Sequence, residues 1–204
     1  PIYTSSTFEQ ESPGVHKGFD YSRSTNPTRK AFEECIASLE NGEVGFGFSS
    51  GVAAISACVE LLAPGDHVIA MNDLYGGTVR LFNEIKTLSQ GIEVTYVDMT
   101  DLQNVKAAIT DKTKMIFIET PTNPLLRVVD LSSIAEFAKT EGILSVCDNT
   151  FASPYVQQPL NHGIDIVLHS ATKYLGGHSD LIAGALVIGK KDEELVSRMA
   201  NIVN

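Results

Sequence analysis

The sequence predicts an α/β domain in which helices cover both faces of a mainly parallel sheet. Short apolar runs alternate with segments of helical periodicity, turn residues separate them, and polar clusters follow the apolar runs. Alternation of this kind is typical of βαβ units. Because strands of a parallel sheet are buried on both faces, they are almost continuously apolar, as these runs are.

The elements are expected in a regular order. Apolar runs predict strands at residues 44–48, 67–71, 93–98, 114–118, 143–147, 165–169 and 182–188. Apolar side chains at helical spacing predict a helix from residue 30 that Gly42 closes, helices over 52–62, around 81–88, near 101–110 and around 131–138, and a charged helix from about residue 191. In such sheets ligands bind at the carboxyl ends of the strands, so the polar clusters there are the candidate site.

Composition excludes several classes of function. A net charge of −10, from 15 basic and 25 acidic residues, argues against a nucleic-acid partner. No apolar run is long enough for a membrane span. Three widely spaced cysteines without a CxxC pattern fit a reducing, cytoplasmic setting better than a disulfide framework. The five histidines lack zinc-binding spacing, so no metal site is expected.

Residues 1–29 are polar and rich in turn residues, and we expect an extended arm that contacts a neighbouring subunit or, alternatively, a disordered end. Residues 30–204 form the predicted α/β domain. The chain opens at Pro1 without a methionine, and we expect it to be an excerpt of a longer chain or a processed one.

The segment around Lys173 carries the strongest chemical signal. It follows an apolar run, and Ser170 and Thr172 precede the lysine. At the mouth of a sheet, burial lowers the pKa of a lysine and frees its amine to attack a carbonyl, while the two hydroxyls hold an anion. Pyridoxal phosphate (PLP) needs both features. The segment also matches the S-x-x-K motif of penicillin-recognising enzymes, but the preceding strand and the missing partner motifs exclude that class.

Four further clusters follow predicted strands, and each is also compatible with a plain turn. Residues 47–51 resemble a phosphate-binding strand-to-helix turn. The glycines at 45, 47 and 51 give GxGxxxG, which does not fit the GxGxxG of a dinucleotide site. Tyr75, followed by two glycines, could present its ring to a flat ligand. Asn123 lies in a loop that two prolines stiffen. Asp148 could keep a pyridine nitrogen protonated by attraction between opposite charges.

Taken together, these segments resemble the Cys/Met-metabolism family of PLP enzymes, and the resemblance covers essentially the whole chain. The matching segments are Tyr21-Ser22-Arg23, Asn26-Pro27-Thr28, Ser49-Ser50-Gly51, Tyr75-Gly76-Gly77-Thr78, Glu119-Thr120-Pro121-Thr122-Asn123-Pro124, Asp148-Asn149-Thr150 and Ser170-Ala171-Thr172-Lys173.

The resemblance implies the large PLP-binding domain of the aspartate-aminotransferase-like fold, fold type I. It implies that Lys173 bonds to the PLP aldehyde and shuttles protons, that Asp148 pairs with the ring nitrogen, and that Tyr75 stacks on the ring. The expected phosphate ligands are the N–H groups of Gly51 and Val52, the hydroxyls of Ser170 and Thr172, and, from the neighbouring subunit, Tyr21 and Arg23. Asn123 would approach the ring hydroxyl or the substrate.

The resemblance also implies trans-sulfuration chemistry at the γ-carbon, as in cystathionine γ-synthase or γ-lyase. The substrates would be cystathionine, or an activated homoserine with cysteine, and the assembly a homotetramer of active dimers. Cystathionine β-lyase and methionine γ-lyase are the alternatives, the latter disfavoured because Gly77 replaces a usual cysteine. In this family a C-terminal domain supplies an arginine for the substrate carboxylate. We expect residues 1–204 to lack that domain, so a truncated, inactive chain is the non-enzyme alternative.

Overall fold

A computed structural model describes residues 1–189 and 192–203. The strands are β1 (Gln10–Ser12), β2 (Val15–His16), β3 (Val44–Phe48), β4 (His67–Met71), β5 (Glu93–Val97), β6 (Thr113–Glu119), β7 (Leu144–Asp148), β8 (Ile166–Ser170) and β9 (Gly184–Ile188). The helices are α1 (Pro27–Leu39), α2 (Gly51–Val59), α3 (Gly76–Arg80), α4 (Thr87–Gln90), α5 (Leu102–Ala107), α6 (Leu131–Glu141), α7 (Ser153–Val156) and α8 (Glu193–Val203). A π-helical segment, Leu81–Lys86, joins α3 to α4.

Within the described residues, seven strands form one sheet in the order β3-β9-β8-β7-β6-β4-β5. The pairs from β8 to β5 are parallel, whereas β9 is antiparallel to both of its neighbours. The prediction of an α/β fold with a mainly parallel sheet is therefore confirmed. The arm contains the short β1–β2 hairpin and a single bridge between Thr7 and Tyr21.

Helices cover both faces of this sheet. Side chains of β9 alternate between the faces, so Ala185 and Val187 pack with Ile36 of α1 in a small cluster. Leu186 and Ile188 lie on the opposite face and belong to the main core, to which α2, α6 and α8 also contribute. The apolar strands thus meet helices on both sides, as the unbroken runs in the sequence indicate.

Several helices begin or end at residues other than those predicted. Helix α1 begins at Pro27 rather than residue 30, because Asn26 caps it and accepts the N–H groups of Thr28 and Arg29. The helix expected around Leu81 already starts at Gly76, and α2 ends at Val59 rather than residue 62. The charged helix is observed from Glu193, and residue 191 lies outside the described residues.

Glycines end two helices in the left-handed conformation. Gly91 (φ 67°) follows α4, and Gly142 (φ 66°) follows α6. Each reverses the chain into the next strand of the sheet.

Neither the described helices nor any part of them is long and apolar enough to cross a membrane.

Candidate active site

The carboxyl ends of β3, β4, β6, β7 and β8 lie at one edge of the sheet. Strand β3 points the same way as β8, because β9 runs antiparallel to both. Each polar cluster identified in the sequence follows one of these strands, so the fold gathers them at this edge. Across the sheet they are residues 49–51, 170–173, 148–150, 119–123 and 73–78.

Helix α2 begins beside the end of β8. Ser50 caps the helix, and its Oγ accepts the N–H of Ala53 at 3.2 Å. The N–H groups of Gly51 and Val52 lie in the first turn, where the helix offers no carbonyl partner. A Cβ on Gly51 would lie 2.7 Å from the Cβ of Ser170, so this close approach requires glycine. A helix N-terminus thus meets the end of the strand, an arrangement suited to an anion.

The turn after β8 carries the other predicted ligands. The N–H of Ser170 donates to Oγ1 of Thr150 at 2.8 Å, and Oγ1 of Thr172 lies 3.2 Å from both the N–H and the carbonyl oxygen of Ala183. The side chain of Lys173 is exposed, and its amine bonds to no residue in the described ranges. The expected burial of Lys173 is therefore wrong, because the turn leaves the strand end towards solvent.

Asp148 ends β7, and its carboxyl group is buried. Its Oδ1 accepts the N–H of Thr150 at 3.0 Å. Burial raises the pKa of Asp148, while the bonds from Thr150 and the nearby His169 oppose the rise. No described lysine or arginine forms an ion pair with it. A carboxylate in this setting is stabilised by any cation brought to it.

Glu119, the last residue of β6, was part of a sequence motif but was not predicted as a site residue. Its side chain is buried, its Oε2 accepts the N–H of Tyr75 at 3.0 Å, and its Oε1 accepts the N–H of Asn123 at 2.9 Å. Burial, then the charge of Asp148, raises the pKa of Glu119 to about 7. The first polar residue after an apolar run was the signal that could have identified it.

The side chains of Tyr75 and Asn123 are exposed at this edge. The Tyr75 ring lies against Gly77, where a Cβ would come within 2.9 Å of the ring Cζ. A larger residue at position 77 would displace the ring. Gly77 therefore has a steric role at the ring, whereas a Cβ on Gly76 would meet no atom within 4 Å. That Tyr75 presents its ring face to a ligand stays a prediction.

A buried polar network lies behind Asp148. Glu40 is 0% exposed, and its Oε1 lies 2.5 Å from Nε2 of His169 and accepts the side-chain N–H of Asn149 at 2.8 Å. Gln157 donates to Oδ1 of Asn149 and to the carbonyl oxygen of Thr120, both at 3.0 Å. The network joins the residues next to the ends of β6, β7 and β8. Sequence reasoning assigned His169 a packing or supporting role and did not find Glu40.

Two residues of the arm, Tyr21 and Arg23, are candidate phosphate ligands. Tyr21 and Arg23 are both exposed, and the Arg23 guanidinium lies 5.0 Å from the centroid of the Tyr21 ring. Arg23 also lines a cavity of about 530 Å³ together with Arg29 and Ser49. The structure therefore places Arg23 near the residues that precede α2 in its own chain, and a contact with a second subunit remains a prediction.

Comparisons with known proteins agree on one family. The family model described as "Cys/Met metabolism PLP-dependent enzyme" matches residues 1–204. A cystathionine β-lyase of Coxiella burnetii (strain RSA 493 / Nine Mile phase I) is 57% identical over 93% of this chain and 49% of its own length. A cystathionine γ-lyase of Bacillus subtilis (strain 168) is 52% identical over 96% of this chain and 52% of its own.

A solved structure gives the same result for the fold. The crystal structure of cystathionine γ-lyase from Lactobacillus plantarum, complexed with L-serine, superposes with a TM-score of 0.95 at 50% sequence identity. The match covers 100% of this chain and 52% of that one. The chain thus spans about half the length of the curated relatives and the solved structure that it matches.

Proposed function

The chain belongs to the Cys/Met metabolism PLP-dependent enzyme family, and we propose that the intact protein catalyses PLP-dependent trans-sulfuration at the γ-carbon, as a cystathionine γ-lyase or γ-synthase. The predicted family and its cofactor are thereby confirmed. The observation that carries the proposal is the buried carboxylate of Asp148, which pairs with no described lysine or arginine and ends the strand next to β8. Lys173 lies three positions after Ser170, and its amine bonds to no described residue.

The residues at the edge fit the chemical groups of PLP. A phosphate matches the first-turn N–H groups of Gly51 and Val52 and the Ser170 hydroxyl, since all are donors at a helix N-terminus. A protonated pyridine nitrogen matches Asp148, because burial disfavours the charge of that carboxylate and no described lysine or arginine pairs with it. An aldehyde matches the free amine of Lys173. We assign Thr172 and Asn123 as additional ligands from their positions in the adjoining turns.

Each residue then has a defined task. When bound, PLP supplies an electron sink for bond breaking at the amino-acid α-carbon. Asp148 holds a proton on the ring nitrogen by its negative charge. Nζ of Lys173 would bind the aldehyde and, once the substrate amine has taken its place, would accept the substrate α-proton. Tyr75 would offer its ring face to the cofactor and its hydroxyl for proton transfer.

The proposed assembly is a homotetramer of active dimers in the cytoplasm. Exposure of Tyr21 and Arg23 supports a role of the arm in a neighbouring subunit, where both would bind the phosphate. The three cysteines are free in the structure, which supports a reducing compartment. The proposed small-molecule partners are cystathionine, an activated homoserine ester and cysteine.

Elimination at the β-carbon is the second candidate, favoured by the 57% identity to a cystathionine β-lyase. The test is to incubate the purified intact protein, with PLP supplied, with cystathionine and separately with an activated homoserine ester plus cysteine. A γ-lyase yields cysteine, 2-oxobutanoate and ammonia, a β-lyase yields homocysteine, pyruvate and ammonia, and a synthase yields cystathionine. Absence of turnover in every reaction would refute the proposed function.

A further inference from the structure

Glu119 joins two loops that come from different parts of the chain. Tyr75 lies in the loop after β4, and Asn123 lies in the loop after β6. Each carboxylate oxygen accepts one backbone N–H, from Tyr75 at 3.0 Å and from Asn123 at 2.9 Å. The two residues that the proposed function brings to the ring and to the substrate are thus bonded to a single buried side chain.

We propose that Glu119 is a positioning residue that holds Tyr75 and Asn123 together at the cofactor. The inference rests on the proposed function and deepens it. Glu119 has no predicted contact with the cofactor, so it would act only through the two residues whose main chain it binds.

The chemistry of a carboxylate suits this task. A carboxylate has two acceptor oxygens and no donor, so it can accept two N–H groups from opposite sides. Glutamine has the same length but only one acceptor oxygen. Its NH₂ group would place a donor against the backbone N–H of one of the two loops. Bonds to an ionised acceptor are also about twice as strong as neutral ones. Replacement of Glu119 by glutamine therefore breaks one link and weakens the other.

The surroundings of Glu119 disfavour its ionised form. Asp148 and Asp73 face Glu119 and raise its pKa together with burial, and the thiol of Cys147 lies close enough to feel its charge. No described lysine or arginine pairs with Glu119. Among the described residues, Glu119 bonds to the N–H groups of Tyr75 and Asn123, so these two bonds to the loops are what stabilises its buried charge.

Asp73 offers a matched control. It lies in the loop after β4, and its Oδ2 accepts the hydroxyl of Thr122 at 2.5 Å and the N–H of Leu125 at 3.1 Å. It therefore links the same two loops through a buried carboxylate, but it bonds to neither Tyr75 nor Asn123. The Asp73→Asn variant therefore shows how a general loosening of these two loops affects PLP binding.

The experiment compares the intact wild-type protein with the Glu119→Gln and Asp73→Asn variants. For each protein we would measure the dissociation constant for PLP, the visible circular dichroism of the bound cofactor, and the urea stability of the apoprotein. We expect both variants to lose apoprotein stability. Only Glu119→Gln should weaken PLP binding, by about tenfold, and change the visible dichroism.

A double-mutant cycle with Tyr75→Ala tests whether Glu119 affects PLP binding through Tyr75. Because that variant removes the ring but keeps the N–H, the effect of Glu119→Gln on PLP affinity should shrink in its background. If Glu119→Gln does not fold, Glu119→Asp replaces it, since the shorter side chain keeps the charge but cannot reach both loops.

The outcomes separate two failures. Wild-type affinity and dichroism in Glu119→Gln, or equal changes in Asp73→Asn, would overturn the positioning role alone. A wild-type protein that binds no PLP would overturn the proposed function, and the positioning role with it. An undiminished effect of Glu119→Gln in the Tyr75→Ala background would show that Glu119 does not act through Tyr75.

Discussion

Glu119 and Asp148 are register partners at the last positions of the neighbouring parallel strands β6 and β7. Two buried carboxyl groups at adjacent strand ends repel each other, so the first proton taken up by the pair relieves both. Burial and the charge of Asp148 raise the pKa of Glu119 to about 7, and burial raises the pKa of Asp148 as well.

This pair predicts how stability depends on pH. The folded-state pKa of Glu119, about 7, lies above its ordinary value of 4.5, so the folded protein binds more protons than the unfolded chain between the two values. The free energy of unfolding contributed by Glu119 is therefore highest below about pH 4.5 and falls as the pH rises to about 7, by about 3 kcal/mol. Urea unfolding of the apoprotein across this range should show a smaller decline in Glu119→Gln. An identical decline in both proteins would refute the assignment.

Asp148→Asn tests the partner of the ring nitrogen. Asparagine keeps an acceptor for the N–H of Thr150 but removes a buried charge, so we expect unchanged or higher apoprotein stability. Retention of PLP should weaken by about tenfold or more, and removal of the substrate α-proton should slow. Dialysis against a PLP-free buffer and proton exchange at the α-carbon measure these effects. Wild-type values for both would count against the role of Asp148.

Glu40→Ala tests the network behind the site. The substitution leaves the Nε2 group of His169 and the side-chain amide of Asn149 buried without their shared acceptor. We expect the free energy of unfolding to fall by about 3 kcal/mol, as urea denaturation would measure.

Glu34→Ala, on the same helix α1, is the control for Glu40→Ala. Among the described residues, Glu34 pairs with Lys30 at 3.7 Å, and both side chains are exposed, so its loss should leave stability unchanged. Equal losses in the two variants would show that the Glu40 network contributes nothing.

Gly51→Ala tests the close approach of α2 to β8. The new Cβ would lie 2.7 Å from the Cβ of Ser170 and 2.9 Å from its Cα, so the helix start must shift. We expect a loss of about 1–3 kcal/mol in stability, together with weaker binding of PLP or inorganic phosphate. Thermal unfolding and phosphate titration measure the two effects.

Gly76→Ala is the matched variant, because a Cβ there meets no atom within 4 Å at the first residue of a helix. It should retain or slightly increase stability, since alanine reduces the freedom of the unfolded chain. A Gly51→Ala variant as stable as Gly76→Ala would contradict the packing that we describe.

Local signals in the sequence explain which parts of the fold could be predicted. Strands β3 and β4 were predicted at their observed bounds, because turn residues flank each apolar run. The start of α1 lies within residues 1–29, whose turn residues indicate an arm, but Asn26 caps the helix and Pro27 begins it.

The candidate site was predictable as far as its residues follow strands. Asp148 and Ser170 occupy the strand ends where polar residues after apolar runs were expected. Glu40 and His169 are 129 residues apart, and only the completed fold brings them together. Exposure of Lys173 depends on the path of the turn after β8, which periodicity does not encode.

The most direct test of the central claim is to map the amine that binds the cofactor. The intact protein is supplied with PLP, reduced with borohydride and digested, and the peptides are analysed by mass spectrometry. We predict a pyridoxyl adduct on Nζ of Lys173 that disappears in Lys173→Ala, with apoprotein stability unchanged because the side chain is exposed. No adduct, or an adduct on a different lysine, would contradict the account.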